Sequence, residues 1–307
     1  MVKFLTLMHR EWLQHRSGWL VLMALPTALV ALLTLFEGRG LQLHMGGETT
    51  AMPQLDQLPP LVQTLGWTVA TAMLSLVLVV LAVLAQLPGL ARRDVQDRSI
   101  EFWLSLPTNH AQSLGATLLM HLLLLPGLAI TAALLGAQLV ALLAIVSQQG
   151  LGAWLQQPWW QLLLALLVVT ARVWLGLLLA VAWLSPLLLL TLAASAWLKR
   201  WALPVVAASL LLGVHWLDPQ LTAPLVKPAL ERVTSEAGAA LLASRAFVDV
   251  RIAGPSDLAD LVPALSGLLL RDAMSALGRA ATPAFALALS LGAAGFGLLV
   301  LRRQRVD

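Results

Sequence analysis

The charged residues of this chain are gathered into short clusters, and the apolar stretches between them are too long and too uniform to line a soluble core. Six stretches stand out: Gly18–Phe36, Trp67–Pro88, Leu114–Val146, Gln161–Trp197, Trp201–Leu217 and Pro283–Leu301. About 20 apolar residues in a helix cross the ~30 Å hydrocarbon core of a bilayer. A backbone in lipid must satisfy its own N–H and C=O groups, so only helices and closed barrels span it. Barrel strands read as short alternating segments, and these runs are continuous. Charged residues make up 11% of the 307, against roughly a quarter in a soluble domain. The chain is predicted to be an all-α polytopic membrane protein with six transmembrane helices.

Positive charge predicts how the helices are oriented. Lys3, Arg10 and Arg16 precede the first stretch, Arg92, Arg93 and Arg98 follow the second, Lys199 and Arg200 follow the fourth, and Arg302, Arg303 and Arg305 follow the last. Six spans put all four clusters on one side, which the positive-inside rule makes cytoplasmic. The expected location is a bacterial plasma (inner) membrane with both termini cytoplasmic. The net charge of +4 therefore reads as a topology signal, and nucleic acid is not expected as a partner. No cleavable leader is expected, because the first stretch is full length and ends in Phe36-Glu37-Gly38-Arg39.

Gln161–Trp197 is 37 residues, about 55 Å as a straight helix at ~1.5 Å per residue. Splitting it into two spans would carry Lys199, Arg200 and the C-terminal arginines outside, so one long helix, tilted or kinked near Pro186, fits the charge rule better. Residues 3–16 place Phe4, Leu7, Met8 and Trp12 near one helical face and predict a separate amphipathic helix on the cytoplasmic interface. Residues 218–281 hold six basic and seven acidic side chains punctuated by prolines. They predict a helical extracytoplasmic insertion between the fifth and sixth spans, with one helix near Pro228–Ala243 and another opening at Pro255-Ser256-Asp257.

The familiar catalytic motifs are mostly missing from the pattern. There is no His-Glu-x-x-His pair, no Gly-x-Ser-x-Gly elbow and no Gly-rich phosphate loop, and the three lysines, Lys3, Lys199 and Lys227, do not follow a glycine. Zero cysteines exclude disulfides, thiolate metal sites and a cysteine nucleophile. The histidines His9, His15, His44, His110, His121 and His215 are scattered over different segments, so no metal site is expected.

The most specific stretch is the loop over residues 92–108, which contains Asp97-Arg98-Ser99-Ile100-Glu101-Phe102-Trp103-Leu104-Ser105-Leu106-Pro107. Aromatic and Arg side chains dominate interface energetics, so this loop suits docking into a groove on another protein. Anchoring of Phe102 and Trp103 among lipid headgroups is the equal alternative on physical grounds.

The loop resembles the cytoplasmic loop of ABC-2-type transporter permeases, in which Asp-(Arg/Lys)-Ser-Ile-x-Phe-Trp-x-Ser-Leu-Pro follows the second span. His9-Arg10-Glu11-Trp12 is similar to that family's N-terminal Arg-Glu helix. Trp183-Leu184-Ser185-Pro186 with Ser195-Ala196-Trp197-Leu198-Lys199-Arg200 is similar to the end of its fourth span. The resemblance covers about residues 1–217 and the last span, and it implies the membrane half of an ATP-driven exporter. A separate ABC ATPase subunit would bind ATP and Mg2+, and this chain would bind no cofactor and catalyse nothing itself. A second permease copy, as a homodimer, would complete the complex. The ATPase-coupling role would fall on Asp97, Arg98, Ser99, Ile100, Glu101, Phe102 and Trp103, with a second contact through Arg10 and Glu11.

Arg172 lies inside an apolar run, where a charge costs ~2.5–3.5 kcal/mol on insertion scales and needs a partner. It is a candidate contact in a substrate path. The structural alternative places it toward the outer leaflet, snorkelling or paired with an acid from residues 218–281. Ser75, Thr131 and Gln138 read as helix–helix hydrogen-bonding groups, and His215 and Asp218 as a pair. Two other functions are compatible with the sequence: a membrane subunit transmitting ATPase-driven force to its insertion without transport, and a polytopic lipid-modifying enzyme.

Overall fold

A computed structural model of the chain describes residues 2–37, 58–90, 109–243 and 255–305. Every regular element among the described residues is helical: α1 (Val2–Glu37), α2 (Pro60–Leu90), α3 (His110–Gln149), the short α4 (Leu151–Leu155), α5 (Trp159–Leu198), α6 (Ala202–Leu212), α7 (Val226–Leu242), α8 (Pro255–Ala280) and α9 (Pro283–Gln304). A π-turn at Met120–Leu124 interrupts α3, and a second at Gly213–Leu217 extends α6. The chain is a polytopic helical membrane protein.

Side-chain pairs fix the directions of the helices. Glu11 meets Thr117, His15 meets His121, and Thr27 faces Gly136, so α1 and α3 run parallel. Gln138 donates to Thr68, and Ser75 donates to the Ala129 carbonyl, so α2 runs against α3. α5 also runs against α3: Trp174 covers Gly127, while Leu192 shares a cluster with Leu114 and Leu122. Along α5, Trp183 stacks edge-on with Phe285, Ser185 faces Gly292, and Leu192 clusters with Leu299, so α9 is parallel to it. Ala288 and Gly292 form a small-xxx-small step. A Cβ added at Gly292 would sit 2.4 Å from Ser185 Oγ, which shows how close α9 lies to α5.

One end of this bundle collects the basic residues. The end of α2 and the start of α3 lie there beside the C-termini of α5 and α9. Arg302 rests on the Trp197 ring at 5.1 Å from its centroid. At the opposite end, Gly150 takes φ +87° to turn the chain out of α3 into α4. Gln149 donates to the Leu58 carbonyl and Thr64 to Gln157 Oε1, so this uncharged turn is tied to the start of α2.

Three expectations change. The amphipathic stretch 3–16 is not a separate helix on the interface; it forms the first turns of the 36-residue α1. Its apolar face is covered by protein, since Leu7 is buried and Met8 and Trp12 pack on the core around Trp19 and Met120. Seven helices, not six, are long and apolar enough to cross a membrane, and the additional one is Leu261–Ala280 within the segment read as an insertion. Asp272 interrupts its apolar face in the sequence, and a partner on α5 neutralises that charge in the fold. Asp218 does not pair with His215; its carboxylate accepts the backbone N–H groups of Leu225, Val226 and Lys227 at 2.7–2.9 Å. Those amides are orphans of the first turn of α7, so Asp218 supplies what the helix start lacks.

Gln161–Trp197 does form one helix. It is the central part of the 40-residue α5, with Pro186 inside it. Both insertion helices also form, as α7 and α8.

Candidate functional site

Arg172 lies near the middle of α5 and is buried, 4% exposed, as is Asp272 on α8. Its Nε and Nη2 donate to Asp272 Oδ2 at 2.9 and 2.5 Å, and its Nη1 donates to the Ala240 carbonyl at 2.9 Å. Ala240 is in the last turn of α7, where carbonyls have no intrahelical partner and the helix dipole favours a cation. One guanidinium thus neutralises α8 and caps α7 at once. Gly176, one turn along α5, permits this approach: a Cβ there would lie 2.5 Å from the Ala240 oxygen. The acid on which Arg172 depends comes from the 218–281 segment, as the structural reading of the sequence expected. Asp272 Oδ1 is buried with no hydrogen-bond partner among the described residues.

The guanidinium borders an apolar cavity of about 230 Å³ between α2, α3, α5, the end of α7 and α8. Its walls are Leu, Val, Ile, Met and Ala side chains, and Thr68 and Arg172 are the polar residues lining it. A neutral apolar molecule matches these walls. An anionic group would have to compete with Asp272 for the guanidinium. A second apolar cavity, of about 410 Å³, lies between α5, α6, α7 and α9, against Trp183, Val226 and Leu287.

At the basic end, Glu11 is buried (3% exposed) and turned into the bundle. Its Oε1 accepts from Arg10 Nη2 and, at 3.1 Å, from Thr117 Oγ1. Arg10 is largely covered as well, so this pair binds α1 to α3 inside the chain. The exposed face of the same turns carries Leu5, His9, Leu13 and Arg16. Asp97, Arg98, Ser99, Ile100, Glu101, Phe102 and Trp103 lie outside the described residues.

The polar groups read as helix–helix hydrogen-bonding groups act so: Ser75 donates to Ala129 O, Gln138 donates to Thr68, and Thr131 Oγ1 accepts from Trp174 Nε1 at 3.1 Å. Histidines judged scattered are not all apart. His15 and His121 pack edge to face with ring centroids 4.8 Å apart, and Glu11 joins them. Only the Glu11–His15 spacing of one helical turn carried a sequence signal, because His121 arrives from another helix. Among the described residues, these three are the group able to hold a metal ion. No family model, curated protein or solved structure matches the chain.

Proposed function

We propose that the chain is the transmembrane permease subunit of an ATP-binding cassette exporter, with the basic end of the bundle cytoplasmic and docked on a separate ATPase subunit. The observation that carries this reading is the convergence at that end. The end of α2 and the start of α3, which flank residues 91–108 in the chain, lie there beside the start of α1 and the termini of α5 and α9. A partner seated on this end would touch the exposed face of α1 through Leu5, Leu13 and Arg16. Within the Arg10–Glu11 pair, Glu11 acts by holding α1 against Thr117 rather than by reaching outward.

The directions of α8 and α9 support both termini being cytoplasmic. Asp272 meets Arg172, Ala276 clusters with Leu179, and Leu299 clusters with Leu192. Both helices therefore run in the same sense along α5. Successive crossings joined by a short turn must run in opposite senses, so α8 and α9 together make one descent. α8 then belongs to the outer half of the bundle. The number of crossings stays even, as the positive clusters require. ATP and Mg2+ belong to the partner, and a second copy of the permease completes the complex.

The double substitution Phe102→Ala, Trp103→Ala tests the reading. Hot-spot truncation typically costs ~2 kcal/mol or more, about thirtyfold in affinity at ~1.4 kcal/mol per tenfold. The ATPase should be lost on purification, and substrate-stimulated hydrolysis should cease while the bundle stays inserted. Full retention of the ATPase with normal coupled turnover would leave the loop a membrane anchor and remove the basis of the proposal.

A further inference from the structure

We propose that Glu11, His15 and His121 form a binding site for a divalent first-row transition metal, with Zn2+ the best chemical fit, clamped between α1 and α3. The proposal is independent of the transport reading. Each side chain offers one ligand atom, and these atoms lie within 4.8 Å of one another. Zn–N and Zn–O bonds of about 2.0–2.2 Å bring tetrahedral ligands to roughly 3.5 Å separation. A small rotation of the half-buried His15 ring closes the remaining gap. Two imidazoles and a carboxylate favour Zn2+ and its neighbours over Ca2+ or Mg2+, which take oxygen sets, and they leave a fourth position for water or another ligand.

The surrounding contacts are those a metal site needs. His121 Nδ1 lies 3.0 Å from the Thr117 carbonyl, which can only accept. The Nδ1–H tautomer that this contact selects leaves Nε2 as the nitrogen able to coordinate, the usual outer-shell arrangement of a ligating histidine. Glu11 Oε1 is engaged by Arg10 and Thr117, which orients the carboxylate and leaves Oε2 as its ligand atom. Glu11 and His15 project from one face of α1, one turn apart. His121 sits in the π-turn Met120–Leu124, a distortion frequent at functional sites. Trp19 and Met120 are buried beside the cluster and Trp12 packs near them, which gives it an apolar wall on that side.

The test uses the full-length protein in detergent, stripped with a chelator and then titrated with Zn2+ by calorimetry and with Co2+ by visible absorption. We expect one ion per chain, tetrahedral d–d bands for Co2+, and a Zn2+-dependent rise in Tm that chelator reverses. Loss of an outer-shell partner typically weakens metal binding about 10–100-fold, so removing a ligand in His15→Asn or Glu11→Gln should cost about 100-fold or more. Both variants should also lose the Zn2+-dependent Tm rise, whereas His9→Ala and His110→Ala should bind as the parent does. His121→Ala removes a buried ring, so the other two variants keep the test decisive if it fails to fold. Absence of saturable one-per-chain binding, or parental affinity in both His15→Asn and Glu11→Gln, would overturn the proposal and reduce the cluster to edge-to-face packing.

Discussion

Asp272→Ala should be among the most destabilising single changes in this chain. It leaves the Arg172 guanidinium, 4% exposed, with only the Ala240 carbonyl of its original partners. Removing one member of a buried pair typically costs ~3–5 kcal/mol. Replacing both members with apolar side chains of similar volume, Arg172→Met with Asp272→Leu, is often neutral or stabilising. Here the double change also strips the partner from the Ala240 oxygen, and a buried acceptor left unsatisfied costs ~1–3 kcal/mol. The double variant should therefore lie roughly 0–2 kcal/mol below the parent and clearly above Asp272→Ala. Unfolding in detergent, followed through the 12 tryptophans, measures all four corners of the cycle. If Asp272→Ala is within ~1 kcal/mol of the parent, the pair does not hold α8 to α5. If the double variant is as unstable as the two single changes added, the sites are uncoupled and the argument fails.

Gly176→Ala would set a Cβ 2.5 Å from the Ala240 oxygen, and overpacking of this kind costs ~1–3 kcal/mol. Gly152→Ala, with nothing within 4 Å of its Cβ, should be harmless, and the two melting curves compared side by side check this. Ala243 closes α7 at φ +48°, so Ala243→Gly should stabilise by about 1 kcal/mol, seen as a rise in Tm, because glycine bears no Cβ penalty there. Accessibility tags near residue 95 or after residue 307 should be cytoplasmic, and tags near 50 or 240 outside. A C-terminus found outside would contradict the single descent of α8 and α9 and overturn the topology.

The membrane helices were legible because their signal is length and apolarity, which tertiary contacts do not alter. α8 was harder to read: Asp272 breaks its apolar face in the sequence, and only the arrival of Arg172 cancels the charge. That Arg172 needs an acid follows from elementary electrostatics. Which of seven acids between 218 and 281 serves depends on how the chain turns at Asp218 and Thr282, and the sequence holds no local cue for that. The same limit hid the histidine cluster, whose members are more than 100 positions apart. The independence assigned to residues 3–16 failed for a different reason. An amphipathic face looks the same whether lipid or another helix covers it, and here Thr117 and the core around Trp19 do so.

α5 has the proportions of a beam. Its 40 residues make a rod about 60 Å long at ~1.5 Å per residue, and α7, α8 and α9 are all fastened along it. The Arg172 joint lies on one arm, and the Leu192–Leu299 contact lies on the other. A stiff rod pivoting near its centre moves its ends oppositely. With arms of ~30 Å, a tilt of ~5° carries each end by roughly 2.5 Å. A push on the end that carries Lys199 would then shift the Trp159 end the opposite way, while the Arg172 joint, about 10 Å from the pivot at ~1.5 Å per residue, would move by only about 1 Å.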